Sequence, residues 1–144
     1  MPLKKYIITL KNDLAELEKL QSFLEEIRHE LSFSKKCQFE TNLALEELFS
    51  NVLFYGFKTH TSHLVKITIS ASHGILNIRV MDDSEPFNPL EAMKPDLRYD
   101  VENCPLGGLG IHLIKALMND IQYKRHQNKN VLTMKKEHCF IETS

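Results

Sequence analysis

Two residue pairs in this chain have the types and spacing that chemistry requires. Glu47 and Asn51 stand four apart in "ALEELFSN", so on a helix they project from one face. A carboxylate can act as a general base toward a hydroxyl or water, and an asparagine oxygen is a hard neutral ligand for magnesium. The same spacing also suits an ordinary i,i+4 surface hydrogen bond, and spacing alone does not choose. "ILNIRVMDDSEPF" ends an alternating strand on Asp82 and Asp83. An aspartate there could accept from an exocyclic amine such as that of adenine, or could cap its own turn. "GGLG" (107–110) spends three of the chain's five glycines immediately before an apolar helical run. Glycines before a helix let backbone N–H groups approach an anion. Neither the Walker pattern nor G-x-G-x-x-G is present, so the two familiar phosphate loops are excluded.

These residues need elements to position them, and hydrophobic periodicity supplies the list. Alternation over 3–11 reads as an edge-type strand, with Asn12 or Asp13 capping the helix that follows. Leu14, Leu17, Leu20, Leu24, Ile27 and Leu31 recur at helical spacing. A second helix runs from about 34 to 55, with Phe39, Leu43, Leu48, Val52 and Leu53 as its buried stripe and Gly56 as its stop. Residues 64–70 and 75–82 alternate strictly around "SHG", a hairpin signature. Residues 83–105 hold four of the five prolines and read as a long loop or lid (about 83–106). A third helix (about 108–119) and a strand, a turn at "QNKN" and a second strand complete the order β-α-α-β-β-lid-α-β-β. Helices in one block and strands in hairpins imply an α+β two-layer sandwich, with a mixed, mostly antiparallel sheet covered by helices on one face.

Composition narrows the classes. The 144 residues fit one domain, 1–144, able to bury its own core. A formal net charge of −1 and the absence of a basic run give no reason to expect a nucleic-acid partner. No apolar run is long enough to span a membrane. Three cysteines, an odd number without C-x-x-C spacing, argue against a disulfide framework or zinc site and for a reducing, cytoplasmic setting. His60 and His63 read as exposed loop residues rather than a metal pair.

In combination the segments "ALEELFSNVLFYGF" (44–57), "MDDSEPFNPL" (81–90), "GGLGIHLIKALMNDIQYKR" (107–125) and "NVLTMKK" (130–136) resemble the serine-protein kinase/anti-sigma factor branch of the ATPases with the histidine-kinase ATP-binding (Bergerat, or GHKL) fold. The resemblance spans roughly residues 5 to 136. It implies ATP and Mg²⁺ as ligands, with Glu47 as general base and Asn51 holding the metal. By the same resemblance Asp82 would accept from the adenine amino group, and Gly108 and Gly110 would line the phosphate side of the pocket. The resemblance likewise implies that Thr133 helps to hold adenine and that Ser84, Phe87, Gly107, Leu109 and Ile111 complete the nucleotide-binding set. It also implies a serine/threonine kinase, a homodimer that phosphorylates a small STAS-type anti-anti-sigma protein and sequesters a sigma factor or other regulator. The chain departs from the family at Asp82-Asp83-Ser84, where D-x-G is common, at Tyr55 in place of a frequent histidine, and at Asn88 in "PFNP". Cys104-Pro105-Leu106 occupies the place of a common arginine, the nearest arginine being Arg98. Ser84 and the missing arginine are the features a catalytically weak nucleotide-binding module, holding only a protein partner, would show.

Overall fold

The computed structural model describes residues 4–53, 63–84, 86, 88 and 108–139, with the side chains of 108–111 left undescribed. The lid region, Phe87, Gly107, Gly56 and the loop with His60 therefore lie outside the described residues, apart from Asp83, Ser84, Pro86 and Asn88 at the start of the lid. Five strands and three helices follow the expected order: β1 (Lys5–Lys11), α1 (Leu17–Leu31), α2 (Lys35–Asn51), β2 (Leu64–Ser72), β3 (Ile75–Asp82), α3 (Gly108–Leu117), β4 (Asp120–His126) and β5 (Lys129–Lys136). A single 3-10 turn, Leu14–Glu16, precedes α1, and the Asp13 carboxylate caps it by accepting from Ala15 N–H at 3.0 Å. Ser34 caps α2 the same way, its hydroxyl accepting from Cys37 N–H at 3.0 Å.

The sheet runs β1-β2-β3-β5-β4, every described pairing is antiparallel, and β1 lies at an edge as its alternation implied. Tight turns set the register of two hairpins. Ser72 faces Ile75 across His73 and Gly74, both at positive φ (52° and 79°), and His126 faces Lys129 across Gln127 and Asn128 (51° and 63°). Those are the backbone angles a two-residue hairpin needs to follow strand twist. Because side chains alternate, one face of the sheet carries Leu10, Val65, Ile67, Ile69, Leu76, Ile78, Val80, Leu132 and Met134, all buried. Against it pack Leu20, Leu24 and Ile27 of α1, Ala44, Leu45, Leu48 and Phe49 of α2 and Ile114 of α3. The other face presents Lys5, Ile7, Lys66, Arg79, Lys124 and Lys135 to solvent. The helices thus cover one face of the sheet, as expected.

Three expectations fail, each for a physical reason. Phe39 is 67% exposed, because the buried stripe of α2 follows Cys37, Thr41, Ala44, Leu45, Leu48, Phe49 and Val52 and position 39 lies off that face. Leu14 is 44% exposed in the 3-10 turn, outside the periodic face of α1. Cys37 and Cys139, 102 residues apart, form a disulfide with a Cα–Cα distance of 5.2 Å. The chain after β5 returns to the helix layer, where Ser34 N–H donates to Cys139 O, and that return seats the second sulfur against the first turn of α2. An odd cysteine count leaves room for one bridge.

A partly buried ion pair ties the layers together. Lys136 Nζ on β5 meets Glu40 Oε2 on α2 at 2.5 Å and donates to Leu117 O at the end of α3 at 2.7 Å. A cation there also complements the negative end of α3.

Candidate functional site

The C-terminal half of α2 carries two consecutive glutamates with different fates. Glu46 is committed: its Oε1 accepts from Gln21 Nε2 and from Asn42 Nδ2, each at 3.0 Å. Glu47 is half-buried and makes no hydrogen bond or ion pair among the described residues. One turn on, Asn51 is only 4% exposed, and its Nδ2 is buried without a hydrogen-bond partner. The surface i,i+4 hydrogen bond that the spacing allowed is not made. A buried amide nitrogen left unpaired costs stability. Tyr6 Oη, Arg28 Nε and Asn42 Oδ1 are buried without a hydrogen-bond partner as well, and Asn51 is set apart by the uncommitted Glu47 one turn away.

At the end of β3 the situation is the reverse. Asp82 is 5% exposed and its Oδ1 takes three donors: Ser84 N–H at 3.0 Å, the Ser84 hydroxyl, and Asn130 Nδ2 at 3.2 Å. Asn130 Nδ2 also donates to Ser84 Oγ at 2.9 Å. The Asn130 carbonyl oxygen accepts from Tyr123 Oη at 2.5 Å and from Arg125 Nη1 at 3.1 Å, and Arg125 Nη1 reaches Ser84 O at 2.8 Å. The ladder explains the assembly. Asp82 pairs with Asn130 and Asn130 with Arg125, so three strands place three polar side chains in one row at the sheet's end. Next to it, Asp83 Oδ1 lies 3.1 Å from His63 Nδ1, so His63 is fixed rather than a loose loop residue.

The structure therefore groups Asp82 with Ser84, and it places Glu47 with Asn51 on α2. Gly108, Leu109 and Gly110 form the first turn of α3, with Ile111 following, so the glycines do open the helix. Thr133 requires a correction. It pairs with Arg79 and Gln122 on the solvent face of the sheet, opposite to Asp82. The residue on Asp82's own face and directly across from it is Asn130, three positions earlier, and an odd offset along a strand reverses the face. Asn130, Tyr123 and Arg125 escaped the sequence reading. Their signal was parity: Asn130 shares its face with Leu132 and Met134, whereas Thr133 shares one with Lys135. Among the described residues no cluster of three His, Cys, Asp or Glu could hold a metal, and no helix is long and apolar enough to cross a membrane.

This geometry can be set beside known proteins. A family model described as the histidine kinase-like ATPase domain matches residues 10–136. The chain belongs to that family. One curated relative of this histidine kinase-like ATPase domain is the serine/threonine-protein kinase BtrW of Bordetella bronchiseptica, 22% identical over 112 residues that cover 78% of this chain and 79% of BtrW. Another is the serine-protein kinase RsbW of Bacillus cereus, 31% identical over 100 residues, covering 67% of this chain and 62% of that relative. A crystal structure of the RsbU and RsbW domains of a Mycobacterium tuberculosis protein shares the fold, with a TM-score of 0.64 at 15% identity, over 98% of this chain and 35% of that one.

Proposed function

We propose that this ATPase domain is an ATP-dependent protein serine/threonine kinase acting in a partner switch. It phosphorylates a small anti-anti-sigma-type protein and, in the alternative state, holds a sigma factor or comparable regulator. The names of BtrW and RsbW as serine or serine/threonine kinases support the reaction class. The observation that carries the reading is on α2: Glu47 uncommitted and, one turn away, a buried Asn51 whose amide has no partner.

The residues present fit Mg²⁺-ATP. Asn51 offers a hard neutral oxygen, and its unpaired amide nitrogen is a donor waiting for an acceptor. Asp82 has spent Oδ1 on three donors, and Oδ2 accepts none of the hydrogen bonds among the described residues, which leaves it for the amino group of adenine. When bound, the metal neutralises phosphate charge during transfer. Glu47 is placed to take the proton of the attacking serine or threonine hydroxyl, and its lack of a structural partner keeps it available for that role. Backbone N–H groups in the first turn of α3 face outward from a helix start and suit phosphate oxygens.

The test is incubation of the chain with labelled ATP, Mg²⁺ and a candidate anti-anti-sigma protein, scoring phosphoserine and phosphothreonine. Transfer to the partner supports the kinase. A second reading, a module that binds nucleotide and sequesters a partner without turnover, draws on Ser84: its hydroxyl fills, against Asp82, the space that the family's glycine leaves open. Nucleotide binding without transfer to any partner would select that reading.

A further inference from the structure

Asp82 alone does not fix what it recognises. A carboxylate turns easily about its terminal torsion, because that torsion is broad rather than confined to staggered wells. Three donors on one oxygen remove the freedom: with Oδ1 held by Ser84 N–H, by the Ser84 hydroxyl and by Asn130 Nδ2, the direction of Oδ2 is set. The Ser84 donors come from the same turn as Asp82, whereas Asn130 lies 48 residues away and anchors the carboxylate to a different strand.

Asn130 is itself oriented without ambiguity. Arg125 has only donors, so the amide atom facing it is the oxygen, and the opposite end must then present NH₂ to Asp82. Tyr123 Oη at 2.5 Å adds a second donor to that oxygen. Arg125 also holds Ser84 O at 2.8 Å, so one guanidinium secures both the amide and the turn that follows Asp82. Asn130 is 4% exposed, Ser84 4% and Asp82 5%, so these three meet away from water, where each hydrogen bond counts for more, while Tyr123 is half-buried and Arg125 reaches in from an exposed position.

We propose that Asn130 is a positioning residue for base recognition: backed by Tyr123 and Arg125, it aims the Asp82 carboxylate so that the site takes a 6-aminopurine nucleotide and discriminates against a 6-oxopurine one. The proposal rests on the nucleotide reading above and goes beyond it by assigning selectivity to a residue on β5 and its support to β4.

The test compares ATP with inosine triphosphate, which differs at the 6-position and leaves the ribose and phosphates the same. Dissociation constants for both, with Mg²⁺, are measured by calorimetry on the full chain and on Asn130→Ala, and thermal unfolding confirms that the variant is folded. The wild-type chain binds ATP in preference to inosine triphosphate. In Asn130→Ala that preference falls by about tenfold, the size expected for one hydrogen bond to a charged group, and the loss falls on ATP. A residue that only seals the end of the sheet would lower the unfolding temperature and leave the preference intact, and that result overturns the assignment. Equal binding of the two nucleotides by the wild-type chain also overturns the proposal, whereas binding of neither overturns the nucleotide reading itself. Should Asn130→Ala not fold, Tyr123→Phe removes only the hydroxyl bond to Asn130 Oδ1. A fall in preference of about two- to threefold is then expected from a weakened support, and an unchanged preference again overturns the proposal.

Discussion

The end of β3 and the C-terminal end of α2 are both polar and largely buried, and they are built on opposite plans. Around Asp82 the side chains brace one another and leave Oδ2 open: carboxylate Oδ1 to serine and asparagine, asparagine to tyrosine and arginine, arginine to a backbone carbonyl. Around Asn51 an amide nitrogen has none, and Glu47 beside it is equally uncommitted among the described residues. A braced network holds its one open acceptor in place before any ligand arrives, which is what recognition of a neutral base needs. An unsaturated pair is incomplete on its own, which is what a site for phosphate, metal and a moving proton needs. The two plans imply opposite responses to mutation: truncation in the network should destabilise the fold, and truncation at α2 should not.

The largest effect expected is catalytic. Glu47→Ala should leave nucleotide affinity near the wild-type value and lower phosphoryl transfer to the protein partner by about 10²- to 10⁴-fold. Transfer at the full rate would remove Glu47 from the role of base.

Asn51→Leu sharpens the contrast further. It replaces a buried unpaired amide with an apolar group of similar size, so the ligand-free protein should gain about 1 kcal/mol in urea unfolding. Mg²⁺-dependent nucleotide affinity should fall in the same variant. A loss of stability would mean that the Asn51 amide is satisfied in solution and that the contrast between the regions is not real.

Ser84→Gly acts on the other side. It deletes the hydroxyl that donates to Asp82 and accepts from Asn130, and it restores the family's glycine. The chain should lose about 1 kcal/mol of stability, measured by the same unfolding titration. A stabilised Ser84→Gly would show that the network strains the turn instead of holding it.

The smallest effect lies outside both regions and gives the background pH response. The Lys19 ammonium at 2.7 Å and the Lys11 N–H at 3.0 Å hold the Glu16 carboxyl below the ordinary carboxylate value. With its folded pKa below its unfolded one, Glu16 stabilises the fold above the unfolded value, about 4.3. That stabilisation is lost as pH falls through the folded value. Glu16→Gln should therefore flatten the stability–pH curve below about pH 5, as followed by thermal unfolding, and an unaltered slope would assign the acid sensitivity elsewhere.

Much of the fold was legible because it is written in local periodicity. Alternation in 64–82 gave β2 and β3, helical spacing at Leu20, Leu24 and Ile27 gave α1, and the glycines gave the start of α3. Phe39 shows the limit, since several helical faces of α2 carry apolar residues and only packing decides which is buried. The candidate site was legible where one segment carries both residues, as with Glu47 and Asn51 or Asp82 and Ser84. It was illegible where partners come from distant strands. Asn130 meets Asp82 only through the register of β5 on β3, and the turn expected at "QNKN" took in Asn130, whereas the structure confines the turn to Gln127 and Asn128 and begins β5 at Lys129. The Cys37–Cys139 bridge, across 102 residues, depends likewise on where the chain returns after the sheet is complete.

The central claim is that the end of β3 recognises a nucleotide base through Asp82. Calorimetric titration of Asp82→Asn with Mg²⁺-ATP tests it most directly, with thermal unfolding as the check on folding. The substitution keeps size and shape, and it allows the amide to present a donor where the carboxylate could only accept. The wild-type chain should bind ATP, and Asp82→Asn, still folded, should show no measurable binding heat. Unchanged ATP affinity in the folded variant would contradict the account.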